Sequence, residues 1–260
     1  MPTEEQIMKI KWNAKKGWNL EVDLEHPVYL QDAHNGYPPA PEKRAMEPRK
    51  MTLEDKEKYV VHYKNLQFYL SQGMRLKKVH RALEFDQEPW MEPYIRMNTE
   101  FRKQAKSDFE TDFYKLMNKS VFGKTMESLR NRADVKIVRA WEANKIWKLV
   151  LNPSYYRFTL FSNDMAGIHM HKRRLVLNEP VYKGMTILEN SKNLMYDFYY
   201  NYLKARYGTK CDLIYTDTDS LLLDIQTENV YKDMKEHKWL SDTSNYPIDH
   251  PLYDARNKKS

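Results

Sequence analysis

The order of apolar and polar residues divides the first part of the chain into a strand and a helix. Residues 18–25, WNLEVDLE, alternate apolar and polar side chains, which predicts a half-buried strand. Residues 53–72 carry apolar side chains at helical spacing and end at Gly73, so a helix is predicted there. The next stretch, 74–85, sets five basic residues around alternating apolar positions.

The middle of the chain is predicted to hold two helices and a group of strands. A helical zone over 92–132 breaks near Ser107, which with Glu110 forms the S-x-x-E pattern of a capping box. Residues 135–139 and two stretches within 155–177 have strand patterns, and the polar residues at 162–164 form the turn between the two stretches.

The last third is predicted to contain a helix and a β-hairpin. The helix covers 187–207, stops at Gly208, and carries tyrosines at helical spacing that we interpret as core rather than as a base-stacking platform. DLIY, an acidic turn and SLLLDI follow, and the polar tail after 226 shows no closing element. Strands and helices without strict alternation predict the α+β class.

Composition adds a preference for an anionic partner. Lys and Arg number 43 against 36 Asp and Glu, which gives a net charge of +7 and a pI near 9.1. This excess suits a polyanion, because neutralised phosphates release counterions, although solvated surface lysines would give the same count. The single Cys211 suits a reducing compartment. No apolar run approaches the roughly 20 residues of a membrane span, so we expect a soluble, intracellular protein.

Asp217 and Asp219 are two carboxylates placed two positions apart between apolar runs. On a strand they would face the same side about 6–7 Å apart. At an effective dielectric constant of about 20 they would repel by roughly 2–3 kcal/mol. A plain turn would avoid that cost with Asn or Gly, whereas a divalent cation would remove it.

The residues around this pair carry a resemblance to a known family. YTDTDS, at 215–220, is similar to the third conserved motif of family B DNA polymerases, Y-x-D-T-D-S. KLMNKSVFGK, at 115–124, resembles their fingers-helix motif K-x3-N-S-x-Y-G, with Lys119 in place of the Asn and Phe122 in place of the Tyr. Lys115, Lys119 and Phe122 fall on one helical face at 100° per residue. The alternative is an ordinary amphipathic helix whose core residues are Phe109, Phe113, Leu116, Val121 and Leu129.

The wider pattern resembles the protein-primed branch, in particular the polymerases of Maverick/Polinton-type elements and related viruses. The matching stretches span most of residues 19–225, for example NEPVYKGMTILENSKNLMYDFYY. The resemblance implies a palm, an antiparallel sheet with packed helices, and two-helix fingers. It places a palm-associated segment at 1–90, the fingers at 91–134 and a palm segment carrying the YTDTDS hairpin at 135–260, and it implies a fold truncated at both ends and before the thumb.

The resemblance also implies an activity, DNA-directed DNA synthesis with two Mg²⁺ ions. Asp217 and Asp219 would be the catalytic metal ligands, with Asp219 in direct contact. The implied nucleotide-binding residues are Lys115, Ser120, Phe122, Gly123, Arg102, Lys106, Tyr215 and Thr218. Implied partners are template–primer DNA, deoxynucleoside triphosphates and a terminal priming protein, in a nuclear or viral-element setting.

The first palm motif of the family, which supplies another metal-binding aspartate, is not found in these 260 residues. We therefore expect little nucleotide transfer from this chain alone. The alternatives are a DNA- or nucleotide-binding remnant without catalysis and a metal-dependent nuclease using the same aspartates. In HMHKRR, at 169–174, His169 and His171 alone make a weak metal-site pattern. Lys172, Arg173 and Arg174 are interpreted as phosphate contacts or as a solvated edge.

Overall fold

The computed structural model describes residues 1–42 and 53–257, which form an α+β protein with three small antiparallel sheets. The strands are β1 Lys16–Glu25, β2 Lys56–His62, β3 Arg75–Asp86, β4 Asp134–Arg139, β5 Tyr155–Ser162, β6 Met165–Met170, β7 Cys211–Asp217 and β8 Ser220–Ile225. The α-helices are α1 Glu4–Met8, α2 Gln31–His34, α3 Tyr63–Ser71, α4 Glu92–Gln104, α5 Asp108–Thr125, α6 Ala143–Val150, α7 Val181–Tyr196, α8 Ala205–Tyr207 and α9 Val230–Glu236. A π-helix, Asp197–Lys204, joins α7 to α8.

The chain divides into two compact units. The first unit comprises Met1–Asn118 and Thr186–Ser260, and the second unit is Lys119–Met185, so the boundary passes through α5. The division predicted from the motifs, at 1–90, 91–134 and 135–260, follows sequence resemblance rather than packing and stays a prediction. Across the described ranges, no helix is both long enough and apolar enough to cross a membrane.

The sheet of the first unit has the order β2–β1–β3, with the predicted strand β1 in the centre. The alternation seen in the sequence places Leu20, Val22 and Leu24 in the core. The strand prediction for 18–25 is therefore confirmed, and the strand is longer by two residues at its N-terminal end.

The helix predicted over 53–72 is wrong in its first half. Residues 56–62 form strand β2, in which Val61 lies opposite Leu20 of β1, and only then does α3 begin. The backbone groups of β1 offer a complete hydrogen-bonding edge, and this pairing outweighs the local helical spacing. The predicted end is correct, because Gly73 takes a φ of +95° that suits glycine.

Aromatic side chains from α7 and the π-helix close the core of the first unit. Tyr196, Tyr199 and Tyr200 are buried, which confirms that these tyrosines are core residues. The hydroxyl groups of Tyr196 and Tyr200 donate hydrogen bonds to the carbonyl oxygens of Pro38 (2.8 Å) and Tyr37 (2.6 Å). The helical stretch begins six residues before the predicted start and ends, as predicted, at Gly208.

The second unit has a smaller core. Its sheet has the order β4–β6–β5, and Val138, Ala166 and Ile168 are buried against α6. The strand predicted at 135–139 and the two strands within 155–177 are confirmed, with a turn at residues 163–164.

The polar tail of the first unit contains a helix that the sequence pattern did not predict. The Asn229 side chain accepts hydrogen bonds from the backbone N–H groups of Tyr231 and Lys232 and begins α9. Asp233 of α9 forms an ion pair of 2.9 Å with Arg206. The helix has only seven residues, which is shorter than the window over which helical periodicity is recognised, and none of them is buried.

Candidate functional site

The acidic pair lies at the tip of the β7–β8 hairpin in the first unit. Asp217 is the last residue of β7 and is opposite Ser220, so Thr218 and Asp219 form a two-residue turn. Both carboxylates are exposed. The rule that strand side chains alternate faces applies only within a strand, and it therefore does not fix the direction of Asp219. Both acids are instead carried by the hairpin tip, Asp217 at the end of β7 and Asp219 in the turn.

Hydroxyl groups hold this turn. Ser220 Oγ donates to the Asp217 carbonyl oxygen, Thr218 Oγ1 donates to Asp217 Oδ1, and Thr216 Oγ1 donates to the Ser220 carbonyl oxygen, each at 3.0 Å. The sequence prediction did not single out Thr216 or Ser220, although hydroxyl residues next to a turn are a recognised signal.

Backbone strain is present at the centre of the turn. Thr218 has a φ of +50°, a left-handed conformation that is unfavourable for a β-branched residue. Glycine or asparagine is the usual choice at such a position in a two-residue hairpin. Strain of this kind costs on the order of 1–3 kcal/mol and is concentrated at functional sites.

The charge at the tip is not neutralised within the described part of the chain. Neither Asp217 nor Asp219 forms an ion pair with a described residue, whereas Asp212, at the other end of β7, lies 3.8 Å from Lys204 Nζ. Exposed carboxylate oxygens are the ligands that Mg²⁺ prefers, with water and phosphate completing its octahedral shell. Among residues 1–42 and 53–257, no group of three or more His, Cys, Asp or Glu side chains is placed to hold a metal. The two aspartates could thus supply only part of a coordination shell.

The second group of predicted residues lies on α5. Lys115, Lys119 and Ser120 are exposed, and Phe122 is half-buried. Gly123 is also exposed, and a Cβ atom added there would meet no atom within 4 Å apart from its chain neighbours and the adjacent backbone of its own helix. A glycine in a helix costs about 1 kcal/mol relative to alanine. Packing against described residues does not require a glycine at this position. Because Gly123 has no side chain, another molecule could approach the helix backbone closely there.

The remaining predicted basic residues lie before α5. Arg102 is on α4 and half-buried, and Lys106 is exposed in the connection. The two helices touch in the first unit, where the rings of Phe101 and Tyr114 are 5.3 Å apart. Glu110 N–H donates to Ser107 Oγ as the capping box requires. The Glu110 carboxylate accepts from the Lys106 N–H rather than from Ser107, so half of the predicted box is present.

The alternative interpretation of α5 as an ordinary core helix is wrong in most of its residues. Phe109, Phe113 and Leu116 are 78%, 46% and 63% exposed. Leu129, beyond the end of the helix, is buried as that interpretation expected. An apolar stripe of this kind cannot be assigned to core or surface from its spacing, because spacing does not show what lies opposite the helix.

The predicted site residues therefore fall into three groups. Tyr215, Asp217, Thr218 and Asp219 share the hairpin, Lys115, Ser120, Phe122 and Gly123 share α5, and Arg102 and Lys106 lie on α4 and its connection to α5.

Comparisons with known proteins give one structural likeness. No protein-family model matches the chain, and no curated protein matches it. A solved structure of phi29 DNA polymerase, in an orthorhombic crystal form, aligns with 87% of this chain at a TM-score of 0.43 and 15% sequence identity. The chain spans 35% of that polymerase.

Proposed function

We propose that this chain carries the fingers and part of the palm of a family B DNA polymerase of the protein-primed branch, and that it serves DNA-templated nucleotidyl transfer. The observation that carries the proposal is the sequence YTDTDS at the tip of an antiparallel hairpin, where two exposed carboxylates lack a cationic partner among the described residues. The positive φ of Thr218, which lies between them, supports it, because backbone strain of this kind is concentrated at functional sites.

The proposed roles follow from the position of each residue. Asp219 would hold Mg²⁺ directly, and Asp217, whose Oδ1 already accepts a hydrogen bond from Thr218, would support it. The metal would supply stabilisation of the attacking and leaving oxygens of the phosphoryl group. Tyr215 and Thr218 shape the hairpin that presents the two carboxylates.

The residues of α4 and α5 would hold the nucleotide. Lys115, with Arg102 and Lys106, provides positive charge for a triphosphate. Phe122 offers a flat ring, and Ser120 and Gly123 would border the new base pair. The open surface at Gly123 supports this arrangement, because a base pair could approach the helix backbone there.

The activity would need a further carboxylate. The first palm motif of the family is not found in the 260 residues, so we propose that another segment or chain supplies that aspartate. The decisive experiment is primer extension by the chain joined to a family palm segment that carries the motif. Asp219→Ala should then lower extension by about 10³-fold, since a metal ligand contributes several kcal/mol to transition-state stabilisation.

Asp224→Ala is the matched control for that experiment. Asp224 is an exposed carboxylate on β8 of the same hairpin, opposite Asp212 and away from the tip. The Asp224→Ala chain should therefore extend primers at the parental rate. An Asp219→Ala chain that extends primers at the parental rate would refute the assignment. In the chain by itself, Mn²⁺ binding followed by electron paramagnetic resonance should fall in Asp217→Asn/Asp219→Asn and persist in Asp224→Asn.

A nucleic-acid-binding remnant without catalysis is the second candidate. The net charge of +7 favours it, because a basic excess attracts a polyanion whether or not the hairpin aspartates hold a metal. Oligonucleotide binding that falls steeply with salt, without extension by the completed chain, would support this second candidate.

A further inference from the structure

The second unit contains a basic and aromatic surface at one end of the β5–β6 hairpin. We call this surface the basic end and define it by Tyr156, Arg157, His171, Lys172, Arg173 and Arg174, which are all exposed. Across residues 119–185 the sequence holds 13 Lys and Arg against 5 Asp and Glu. The remainder of the chain holds 30 against 31, so the positive charge of the protein is concentrated in the second unit.

The acidic residues of the second unit are paired with cations that lie outside the basic end. Each of the five forms an ion pair with another cation: Glu127 and Glu179 with Arg132 and Lys124, Asp134 with Lys136, Asp164 with Arg139, and Glu142 with Lys145. Arg157, Lys172, Arg173 and Arg174 form no ion pair with a described residue. The basic end therefore presents uncompensated charge to solvent.

An exposed ring stands among these cations. The pairing of β5 with β6 shifts between Tyr155 and Arg157, which leaves Tyr156 as the extra residue of a β-bulge. Tyr156 is 60% exposed, the His171 ring lies 4.7 Å from it, and the Arg157 guanidinium lies 6.0 Å from its centre. A bulge redirects a side chain, and here the redirected side chain is a flat stacking surface next to positive charge.

One of the arginines is held in place by neutral groups. Arg173 Nε donates to Ser154 Oγ and Arg173 Nη2 donates to Asn152 Oδ1, both at 2.8 Å. The Asn152 oxygen also accepts from the Ser154 N–H at 2.9 Å, which fixes the loop itself. Neutral acceptors orient the guanidinium without neutralising its charge. An oriented guanidinium loses less entropy when it binds a phosphate.

We propose that the basic end binds single-stranded nucleic acid, with Arg157, Lys172, Arg173 and Arg174 on successive phosphates and Tyr156 stacked on a base. A solvated edge would need neither the oriented arginine nor the projecting ring. A single strand is favoured over a duplex because only unpaired bases offer their faces to a side chain. The inference goes beyond the proposed function, since this binding requires neither the hairpin aspartates nor nucleotide transfer.

The test measures binding of fluorescein-labelled dT20 to the full chain by anisotropy, in EDTA and without nucleotides. Lys172→Gln/Arg173→Gln/Arg174→Gln should weaken binding ~10- to 100-fold and reduce the slope of log affinity against log salt by about 2, since each phosphate contact contributes about 0.7 for single strands. Tyr156→Ala should weaken binding by about 5- to 100-fold, and Tyr156→Phe should bind like the parent chain, because the ring is kept.

Two control variants separate this surface from the other charges of the chain. Arg75→Gln/Lys77→Gln/Arg81→Gln removes the same number of charges from β3, where those cations are already paired with carboxylates, and should change binding less than threefold. Asp224→Asn removes a carboxylate from the β7–β8 hairpin, outside the proposed catalytic pair, and should bind dT20 like the parent chain, whatever the outcome of the extension experiments. A loss of dT20 binding in this second variant would place the strand at the hairpin and overturn the inference.

Other results would also overturn it. The inference would be wrong if the Lys172–Arg174 variant and the β3 variant lost dT20 affinity equally. It would also be wrong if Tyr156→Ala bound dT20 like the parent chain, or if the parent chain bound a 20-base-pair duplex as tightly as dT20. Sedimentation with phosphatidylserine vesicles without binding to dT20 would assign the surface to a membrane instead.

Discussion

The two units of the protein use their charged residues in different ways. In the first unit the basic strand β3 lies beside the acidic strand β1, and Arg81 pairs with Glu21 at 3.1 Å and Arg75 with Glu25 at 3.6 Å. In the second unit the acids are paired, yet the cations of 172–174 have no carboxylate partner among the described residues. A basic run in sequence therefore does not identify a binding surface. The charges left after internal pairing show only where positive charge is uncompensated.

The cores of the units differ in a related way. The first unit buries a large cluster from β1, α3, α7 and the π-helix, whereas the core cluster of the second unit consists of Val138, Ala166 and Ile168. A large core can hold buried polar groups and a strained turn, because the surrounding contacts offset their cost. The candidate site with its strained Thr218 lies in the first unit, and the proposed strand-binding surface lies in the second.

The largest effect is expected at a buried carboxylate of the first unit. Glu189 is 6% exposed and its Oε2 accepts from Asn65 Nδ2 at 2.7 Å, while Lys192 pairs with its Oε1 at 2.6 Å. Glu189→Ala should lower the free energy of unfolding by about 3–5 kcal/mol, because it leaves the Asn65 amide without this acceptor. Urea unfolding followed by circular dichroism measures this change in the free energy of unfolding. Glu189→Gln keeps an acceptor oxygen and should cost less than half as much; equal costs would show that the buried hydrogen bond is unimportant.

The next effect concerns the smaller core. Ile168 is fully buried, and Ile168→Ala should destabilise the second unit by about 2–4 kcal/mol through lost burial and a cavity. Hydrogen exchange should then rise across residues 119–185 while β1 stays protected. The exposed Ile137→Ala on β4 is the control and should change exchange little. A uniform rise over the whole chain would show that the two units unfold together.

A pH dependence is expected from a buried histidine pair in the first unit. His26 Nε2 and His34 Nδ1 are 2.9 Å apart, and burial, with His26 nearby, lowers the pKa of His34 to about 4. The unfolded chain binds a proton near pH 6.5 and the folded chain does not, so stability is lost as the pH falls from about 6.5 to 4. The loss should be roughly 1–2 kcal/mol in urea titrations at pH 7 and pH 4.5. His34→Gln should remove this part of the dependence; an unchanged difference between the two pH values would assign it to other groups.

The smallest effect is expected at the strained turn. Thr218→Gly removes the steric penalty of a φ of +50° and should raise the stability of the hairpin by up to about 1 kcal/mol, despite the greater freedom of glycine when unfolded. Thermal unfolding measures the change. Thr216→Gly, within β7, is the matched control and should destabilise. A loss of stability in Thr218→Gly would show that the Thr218 hydroxyl contributes more than its strain costs.

Local chemistry made part of the fold predictable. The hairpin around YTDTDS, the stop at Gly208 and strand β1 depend on residues within a few positions of one another, so their patterns were sufficient. The helix prediction for 53–72 was wrong in its first half because that segment pairs, as β2, with β1, which lies about 40 positions away in sequence. The short α9 was missed because its seven residues are too few to show a helical period.

The sequence by itself determined where turns, caps and motifs lie, including the acidic pair and the lysines of α5, because these are set by neighbouring residues. Only the tertiary structure decided which charges are compensated and which rings are exposed. Arg81 is paired with Glu21, and Arg173 is oriented by Asn152, because strand register and loop closure bring those partners together. Charge compensation depends on partners distant in sequence, and no local pattern records them.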